Sequence, residues 1–181
     1  MLARIWSASL IGIDAVKVGV EVDLSGGLPG VIVVGLPDTA VQESRERVKA
    51  ALKNKGFPFP MRKVVVNLTP ADLRKEGPIY DLPIAIGILA ASDLVSQHLL
   101  DDYLLMGEVS LDGALRPVSG VMAIAAAARQ LGLKGLVLPQ ANAQEAAVVP
   151  ELDVHGCDTI TDVVDFLNQP DTHAPPQIDG R

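Results

Sequence analysis

Residues 67–83 read NLTPADLRKEGPIYDLP, and they carry the strongest indication of the fold. An apolar run ends at Pro70, the turn Lys75-Glu76-Gly77-Pro78 follows, and Asp81-Leu82-Pro83 opens a second apolar run. A Pro- and Gly-rich loop that leads into a helix is where many α/β folds keep a nucleophile. Ile79 stands directly after the turn, and its side chain can neither attack a carbonyl nor transfer a proton. The sequence therefore predicts a loop that has the composition of a nucleophile-bearing loop but carries no reactive side chain at this position.

The rest of the chain alternates between strand and helix patterns. Valines alternate with polar residues at 16–23, which predicts a half-buried strand after a turn at 12–15 and an earlier strand. Apolar runs bounded by Gly or Pro predict further strands, at 31–34, 63–68, 103–106 and 135–138. A hairpin is predicted at 108–118 around Asp112-Gly113. Amphipathic or Ala-rich segments predict helices, at 39–56, 81–91, 119–130, 141–148 and 159–167.

Three helix starts carry candidate capping residues. Thr39 with Gln42 three residues later fits a capping box. Asp81 is expected to cap the second helix, with Pro83 tolerated in its first turn. Ser119 reads as the N-cap of the Ala-rich helix.

A second landmark covers residues 107–122, with Gly107-Glu108, then 113–118, then Ser119-Gly120-Val121-Met122. Together with the loop at 67–83 it resembles the protease domain of the Lon family. In that family the first turn is followed by the catalytic serine and the second by the catalytic lysine. Ile79 and Met122 occupy those two positions. The resemblance implies a conserved fold whose catalytic dyad is absent.

Longer blocks at 35–48, 67–73 and 75–85 resemble the N-terminal domain of the ComM/YifB family of magnesium-chelatase-like AAA+ ATPases. The resemblance implies an α/β (two-layer α+β) domain with the Lon-protease-like, ribosomal protein S5 domain 2-like fold, spanning 1–168. Residues 169–181 have the composition of a Pro-rich linker, and the resemblance implies that it leads to an AAA+ module absent from this chain. The resemblance further implies a homo-hexameric parent that uses ATP and magnesium as a DNA branch-migration helicase in natural transformation and recombination. The chain itself is expected to be a cofactor-free, non-catalytic module for DNA engagement, ring assembly or both.

Charge is segregated along the chain, although the net charge is −7. Residues 45–75 contain nine bases and two acids, a net +7, so the remainder carries −14. Arg45, Lys49 and Lys53 repeat every four residues and form one stripe on the predicted helix. Two interpretations remain open, a solvated face or a surface that contacts phosphates without reading sequence. The candidate DNA-contacting residues are Arg45, Lys49, Lys53, Arg74 and Lys75.

The composition limits the other possibilities. Hydrophobic residues make up 49 % and aromatics 3 %, which predicts an aliphatic core and argues against base stacking as the main mode of nucleic-acid binding. The longest apolar run is half of the ~20 residues that span a bilayer, and no signal peptide is visible, so a soluble cytoplasmic protein without membrane contact is expected. His155 and Cys157 lack the further ligands that zinc requires, and no metal site is predicted. The alternative function is a cryptic Lon-like serine peptidase, for which Ser119 at its turn is the candidate nucleophile.

Overall fold

The computed structural model describes residues 2–170 as nine strands and five α-helices. The strands are β1 (Leu2–Ile11), β2 (Asp14–Ser25), β3 (Gly30–Val34), β4 (Lys63–Thr69), β5 (Tyr103–Leu105), β6 (Glu108–Val109), β7 (Leu115–Arg116), β8 (Gly135–Pro139) and β9 (Asp153–Cys157). The helices are α1 (Thr39–Asn54), α2 (Asp81–Ala91), α3 (Val121–Gln130), α4 (Ala143–Ala146) and α5 (Ile160–Asn168).

Seven strands form one mixed sheet in the order β3-β4-β2-β1-β5-β8-β9, and β6 pairs with β7 in a separate hairpin. The pairs β1/β2 and β2/β4 are antiparallel, whereas the other four pairs of the large sheet are parallel. A short turn joins the antiparallel strands β1 and β2, whereas α1, α3 and α4 lie in the connections between the parallel pairs β3/β4, β5/β8 and β8/β9.

Two hydrophobic clusters lie on opposite faces of this sheet. Along β5, Tyr103 and Leu105 belong to the cluster that includes α1, α2 and α5, whereas Leu104 belongs to the cluster with α3 and α4. Successive strand residues point to opposite faces, so the sheet is covered on both sides where β5 and β8 lie. The predicted α/β class is confirmed, but the predicted two layers become three over this half of the sheet.

Helix α2 is the centre of the molecule. Every residue from Asp81 to Ala91 is buried, in keeping with a segment that is apolar on all sides after its first residue. Gly87 sits against β1 and β2, where a Cβ would lie 2.5 Å from a Val22 methyl and 3.5 Å from Ile5. The missing side chain lets the helix approach the sheet closely.

The predicted strands and helices are confirmed, but all three predicted caps are wrong. Asp38 caps α1, because its carboxylate accepts the Val41 amide at 2.8 Å, where Thr39 was expected. Gly120, in the left-handed region at φ +79°, precedes α3 in place of Ser119. Asp81 makes no capping bond at all. The strand β9 was not predicted.

The predicted domain boundary falls where α5 ends at Asn168. Residues 171–181, most of the predicted linker, lie outside the described part of the chain. Within residues 2–170 no helix combines the length and apolar character needed to cross a bilayer.

Candidate functional site

A cavity of about 590 Å³ opens beside the end of β1. Three segments form its walls, the last residues of β1, the loop that enters α2, and the turn that enters α3. The lining residues are Ala8, Ser9, Leu10, Ile11, Leu73, Arg74, Glu76, Gly77, Pro78, Ile79, Tyr80, Glu108, Pro117, Val118 and Ser119. Two of these walls are the sequence landmarks at 67–83 and 107–122, which the fold brings together.

Lys75 anchors the loop that forms one wall. Its side chain is 0 % exposed, and Nζ donates to the Gly35 carbonyl at 2.8 Å and to the Pro70 carbonyl. Its backbone is also paired, since the amide donates to the Leu36 carbonyl at 3.0 Å and the carbonyl accepts the Asp38 amide at 2.9 Å. Burial lowers the pKa of the Lys75 ammonium below its ordinary value. Lys75 therefore stabilises the loop.

This placement corrects one predicted DNA contact. A fully buried ammonium cannot reach a phosphate on the protein surface, so Lys75 leaves the candidate set. Its neighbour Arg74 is exposed but is engaged by Glu76, with Arg74 Nε 3.3 Å from a carboxylate oxygen. An exposed pair of this kind is weak and can open, so Arg74 stays available.

The two Lon-like positions differ in their surroundings. Ile79 lines the cavity, is partly buried, and packs against both hydrophobic clusters. Met122 lies in the first turn of α3, is 54 % exposed, and is not among the lining residues. Ser119 is exposed and lines the cavity. Neither Ile79 nor Met122 offers a nucleophile or a base to this space.

A buried polar cluster connects α1 to the start of α2. Arg47 Nε lies 2.7 Å from Asp81 Oδ2, and Arg47 Nη2 lies 2.9 Å from Oδ1. The Ser44 hydroxyl also donates to Asp81, as does the Val109 amide at 3.1 Å. The hydrogen bonds that Arg47 donates to the Asp81 carboxylate raise the pKa of the Arg47 guanidinium. Sequence reasoning missed this cluster, because Arg47 and Asp81 are 34 residues apart.

The predicted basic stripe lies on the open side of α1. Arg45, Lys49 and Lys53 are all exposed, and within residues 2–170 none of the three forms an ion pair. Arg45 Nε donates to the Gln42 carbonyl at 3.0 Å, and Lys49 Nζ lies 5.9 Å from the Phe59 ring centroid. The fold thus brings three of the five candidate cations together on one surface.

His155 and Cys157 lie on β9 in a packed environment. The His155 ring stacks on Phe166 with centroids 3.7 Å apart, and its Nε2 lies 2.9 Å from Asp153 Oδ2. Burial raises the pKa of the Cys157 thiol to about 12. Among the described residues no group of three or more His, Cys, Asp or Glu could hold a metal ion.

Comparison with known proteins identifies the family. The sequence pattern described as subunit ChlI of Mg-chelatase matches residues 20–142. The competence protein ComM of Haemophilus influenzae is 44 % identical over 167 residues, which cover 92 % of this chain and 33 % of that protein. YifB of Escherichia coli is also 44 % identical, over 148 residues that cover 82 % of this chain and 29 % of that protein. The chain thus spans about a third of the length of these relatives.

A more distant similarity agrees with the architecture. Lon protease 2 of Syntrophobacter fumaroxidans is 28 % identical over 126 residues, which cover 67 % of this chain and 16 % of that protease. The match to the ChlI family covers more than half of the chain, and the predicted Lon-like fold is confirmed. The chain therefore belongs to the magnesium-chelatase-like ChlI family and, within it, to the Lon-protease-like domains of the ComM and YifB type.

Proposed function

We propose that this chain is a non-proteolytic accessory domain of an AAA+ ATPase and that it holds DNA through the exposed cations of α1. The single observation that supports DNA contact is the stripe formed by Arg45, Lys49 and Lys53, which no carboxylate of residues 2–170 neutralises. Three like charges on one helix face repel one another, and a polyanion relieves that repulsion.

The wider activity belongs to a longer protein. Its relatives are about three times the length of this chain, which leaves room for an ATPase module that binds ATP and magnesium. A cytoplasmic hexamer that moves branched DNA during natural transformation and recombination would place six copies of the stripe around one duplex. Repeated weak contacts of this kind raise the overall affinity well above that of one copy.

A second role is assembly of the ring. Residues 92–170 carry eleven acids and three bases, so one half of the chain is strongly acidic while α1 is basic. The α1 stripe of one copy could face the acidic half of the next, which would engage the same cations. The experiment below distinguishes these two roles.

The test is fluorescence anisotropy of labelled duplex and forked DNA across a salt series. Replacing Arg45, Lys49 and Lys53 together by Gln should lower the log–log salt slope by up to about 3, because each phosphate contact contributes about 0.9. The matched control replaces Arg116, Arg129 and Lys134 by Gln, which removes the same charge from exposed positions outside the segment. Equal slopes for the two triple variants would exclude α1 from the DNA path and favour assembly.

A further inference from the structure

We propose that the open face of the large sheet, the side of β1, β2, β4 and β3 that points away from α1, binds an unpaired DNA strand. One base stacks at the Trp6 ring, and Arg4 and Lys17 hold the neighbouring phosphates. Ile5 belongs to the hydrophobic cluster that contains α1, so its neighbour Trp6 points to the other face of the sheet. This site therefore goes beyond the contact proposed for α1, because a duplex on the outer side of α1 is separated from Trp6 by the helix and the sheet.

Half of the large sheet is uncovered on the face that carries Trp6. The cluster that contains α3 and α4 covers this face at β5 and β8, and among residues 2–170 it includes no residue of β3 or β4. Trp6 lies where the uncovered region meets the helix layer, since its neighbour Leu104 on β5 belongs to that cluster. The side chains that β3 and β4 direct to this face are exposed or half-buried, at Ile32, Val34, Val65, Asn67 and Thr69. An extended strand can therefore reach Trp6 from the side of β2 and β4.

Gly19 of β2 makes room for the Trp6 ring. The two residues are paired across β1 and β2, and a Cβ at Gly19 would lie 3.3 Å from Trp6 Cζ3 and 2.6 Å from Thr69 Oγ1. The ring therefore leans over Gly19 towards the open face, where it stays half-buried. An aromatic ring at the surface of an open sheet is a platform on which a base stacks without sequence preference.

Two cations lie against this ring. Lys17 Nζ is 3.6 Å and Arg4 Cζ is 4.7 Å from the ring centroid. Within residues 2–170 neither cation forms a salt bridge. The two charges are no farther apart than the sum of these distances, so one phosphate can accept hydrogen bonds from both. Because a cation–π contact at an exposed site is weak, a cation can turn to a phosphate and leave the ring to a base.

One acid lies beside the two cations. Glu21 is opposite Arg4 across β1 and β2, but its carboxylate accepts the Asn67 side-chain amide at 2.9 Å, on the side of β4. Asp23, the next acid on this face of β2, is two residues farther from Lys17. The surroundings of the ring therefore keep one net positive charge. An aromatic ring with net positive charge favours an anionic strand with free bases over a duplex, whose bases stack on one another.

The single tryptophan of the chain gives a direct readout of this site. Titration of the 181-residue protein with a single-stranded oligothymidylate should quench the Trp6 fluorescence to saturation. A duplex of equal length should not quench it, and an abasic oligomer should bind at least about fivefold more weakly, because it offers no base to stack. Quenching should persist after Arg45, Lys49 and Lys53 are replaced by Gln, so failure of this site and failure of the α1 contact are distinguishable.

Variants of the site are compared by fluorescence anisotropy of a labelled oligothymidylate. Trp6→Leu should weaken binding at least about fivefold, whereas Trp6→Tyr keeps a ring and should weaken it less than about twofold. Arg4→Gln with Lys17→Gln should lower the log–log salt slope by up to about 1.4, because each phosphate contact of a single strand contributes about 0.7. The matched control, Arg116→Gln with Lys134→Gln, removes the same charge from exposed positions outside this face and should leave the slope unchanged.

Four results would overturn the proposal. They are the absence of quenching by the single strand, equal affinity for the abasic oligomer, equal effects of Trp6→Leu and Trp6→Tyr, and equal slopes for the two double variants. Quenching that disappears when the α1 cations are replaced would also contradict it, since Trp6 would then report on the α1 contact and not on a site of its own.

Discussion

Arg47 donates two hydrogen bonds to the Asp81 carboxylate, at 2.7 and 2.9 Å. This ion pair links α1 to the start of α2 and thereby sets which face of α1 packs against α2. Asp81 is 0 % exposed, so the pair is anchored inside the protein. Arg47 leaves α1 on the flank opposite Arg45, Lys49 and Lys53, given 3.6 residues per turn. The partly buried Arg47 therefore helps to turn the three exposed cations of α1 outward.

Asp81→Ala should lower the free energy of unfolding by about 3–5 kcal/mol, because the partly buried Arg47 guanidinium loses its carboxylate and the buried Ser44 hydroxyl and Val109 amide lose their acceptor. The loss of a simple helix cap would cost only about 1 kcal/mol. Chemical denaturation followed by circular dichroism measures the difference. A cost near 1 kcal/mol would show that the ion pair adds nothing beyond a cap.

Two residues at the start of α1 serve as controls for this measurement. Asp38→Ala removes an observed N-cap and the acceptor of the Gly77 amide at 3.1 Å, so it should cost about 1–2 kcal/mol. Thr39→Ala alters an exposed residue that makes no capping bond, and its effect should stay within about 0.5 kcal/mol. We expect the loss of unfolding free energy to be largest for Asp81→Ala, smaller for Asp38→Ala and smallest for Thr39→Ala.

The purified chain should not cleave casein or unfolded peptides, and a fluorophosphonate probe should not label it. The reason is that Ile79 and Met122 provide neither a nucleophile nor a base. Ser119 lines the cavity and is the remaining candidate nucleophile. Turnover that disappears in Ser119→Ala would refute this prediction and support a cryptic peptidase.

The sequence predicted what depends on local pattern and missed what depends on distant contacts. Valine alternation identified β2, and Thr159, the observed N-cap of α5, was the predicted start of that helix. The predicted role of Asp81 failed because its partners come from α1 and the β6 region, which no local pattern connects to it.

The candidate site shows the same difference between what local pattern predicts and what distant contacts decide. Exposure of the α1 stripe follows from helix periodicity, so it could be predicted. Burial of Lys75 could not be predicted, because the Gly35 carbonyl that accepts its hydrogen bond is 40 residues earlier in the chain. The cavity forms where β1 runs on after its pairing with β5 has ended, and that depends on the register between the two strands.

Cys157 should make stability depend on pH above about 9. Burial raises the pKa of the thiol to about 12, whereas an unfolded cysteine titrates near 8.5. The unfolded chain therefore loses this proton first, and the thiol's contribution to stability falls by about 1.4 kcal/mol per pH unit between these values. The stability difference between wild type and Cys157→Ala should shift by about 2 kcal/mol from pH 8 to pH 10, measured by urea denaturation under reducing conditions. A difference that does not change with pH would mean that the thiol ionises in the folded protein.

Lys75→Met and Lys53→Met should affect different properties, although each removes one positive charge. The first should change stability, and the second should change the salt dependence of DNA binding. Lys75 is buried and donates to the Gly35 and Pro70 carbonyls, so its loss should destabilise the fold by about 1.5–3 kcal/mol. It should leave the salt slope of DNA binding unchanged, measured at a temperature where the variant is folded. Lys53 is exposed, so its loss should change stability by less than about 0.5 kcal/mol. If α1 faces phosphates, Lys53→Met should also lower the log–log salt slope of DNA binding by about 0.9. A lower slope for Lys75→Met would mean that the loop opens on DNA and releases its ammonium to the phosphates.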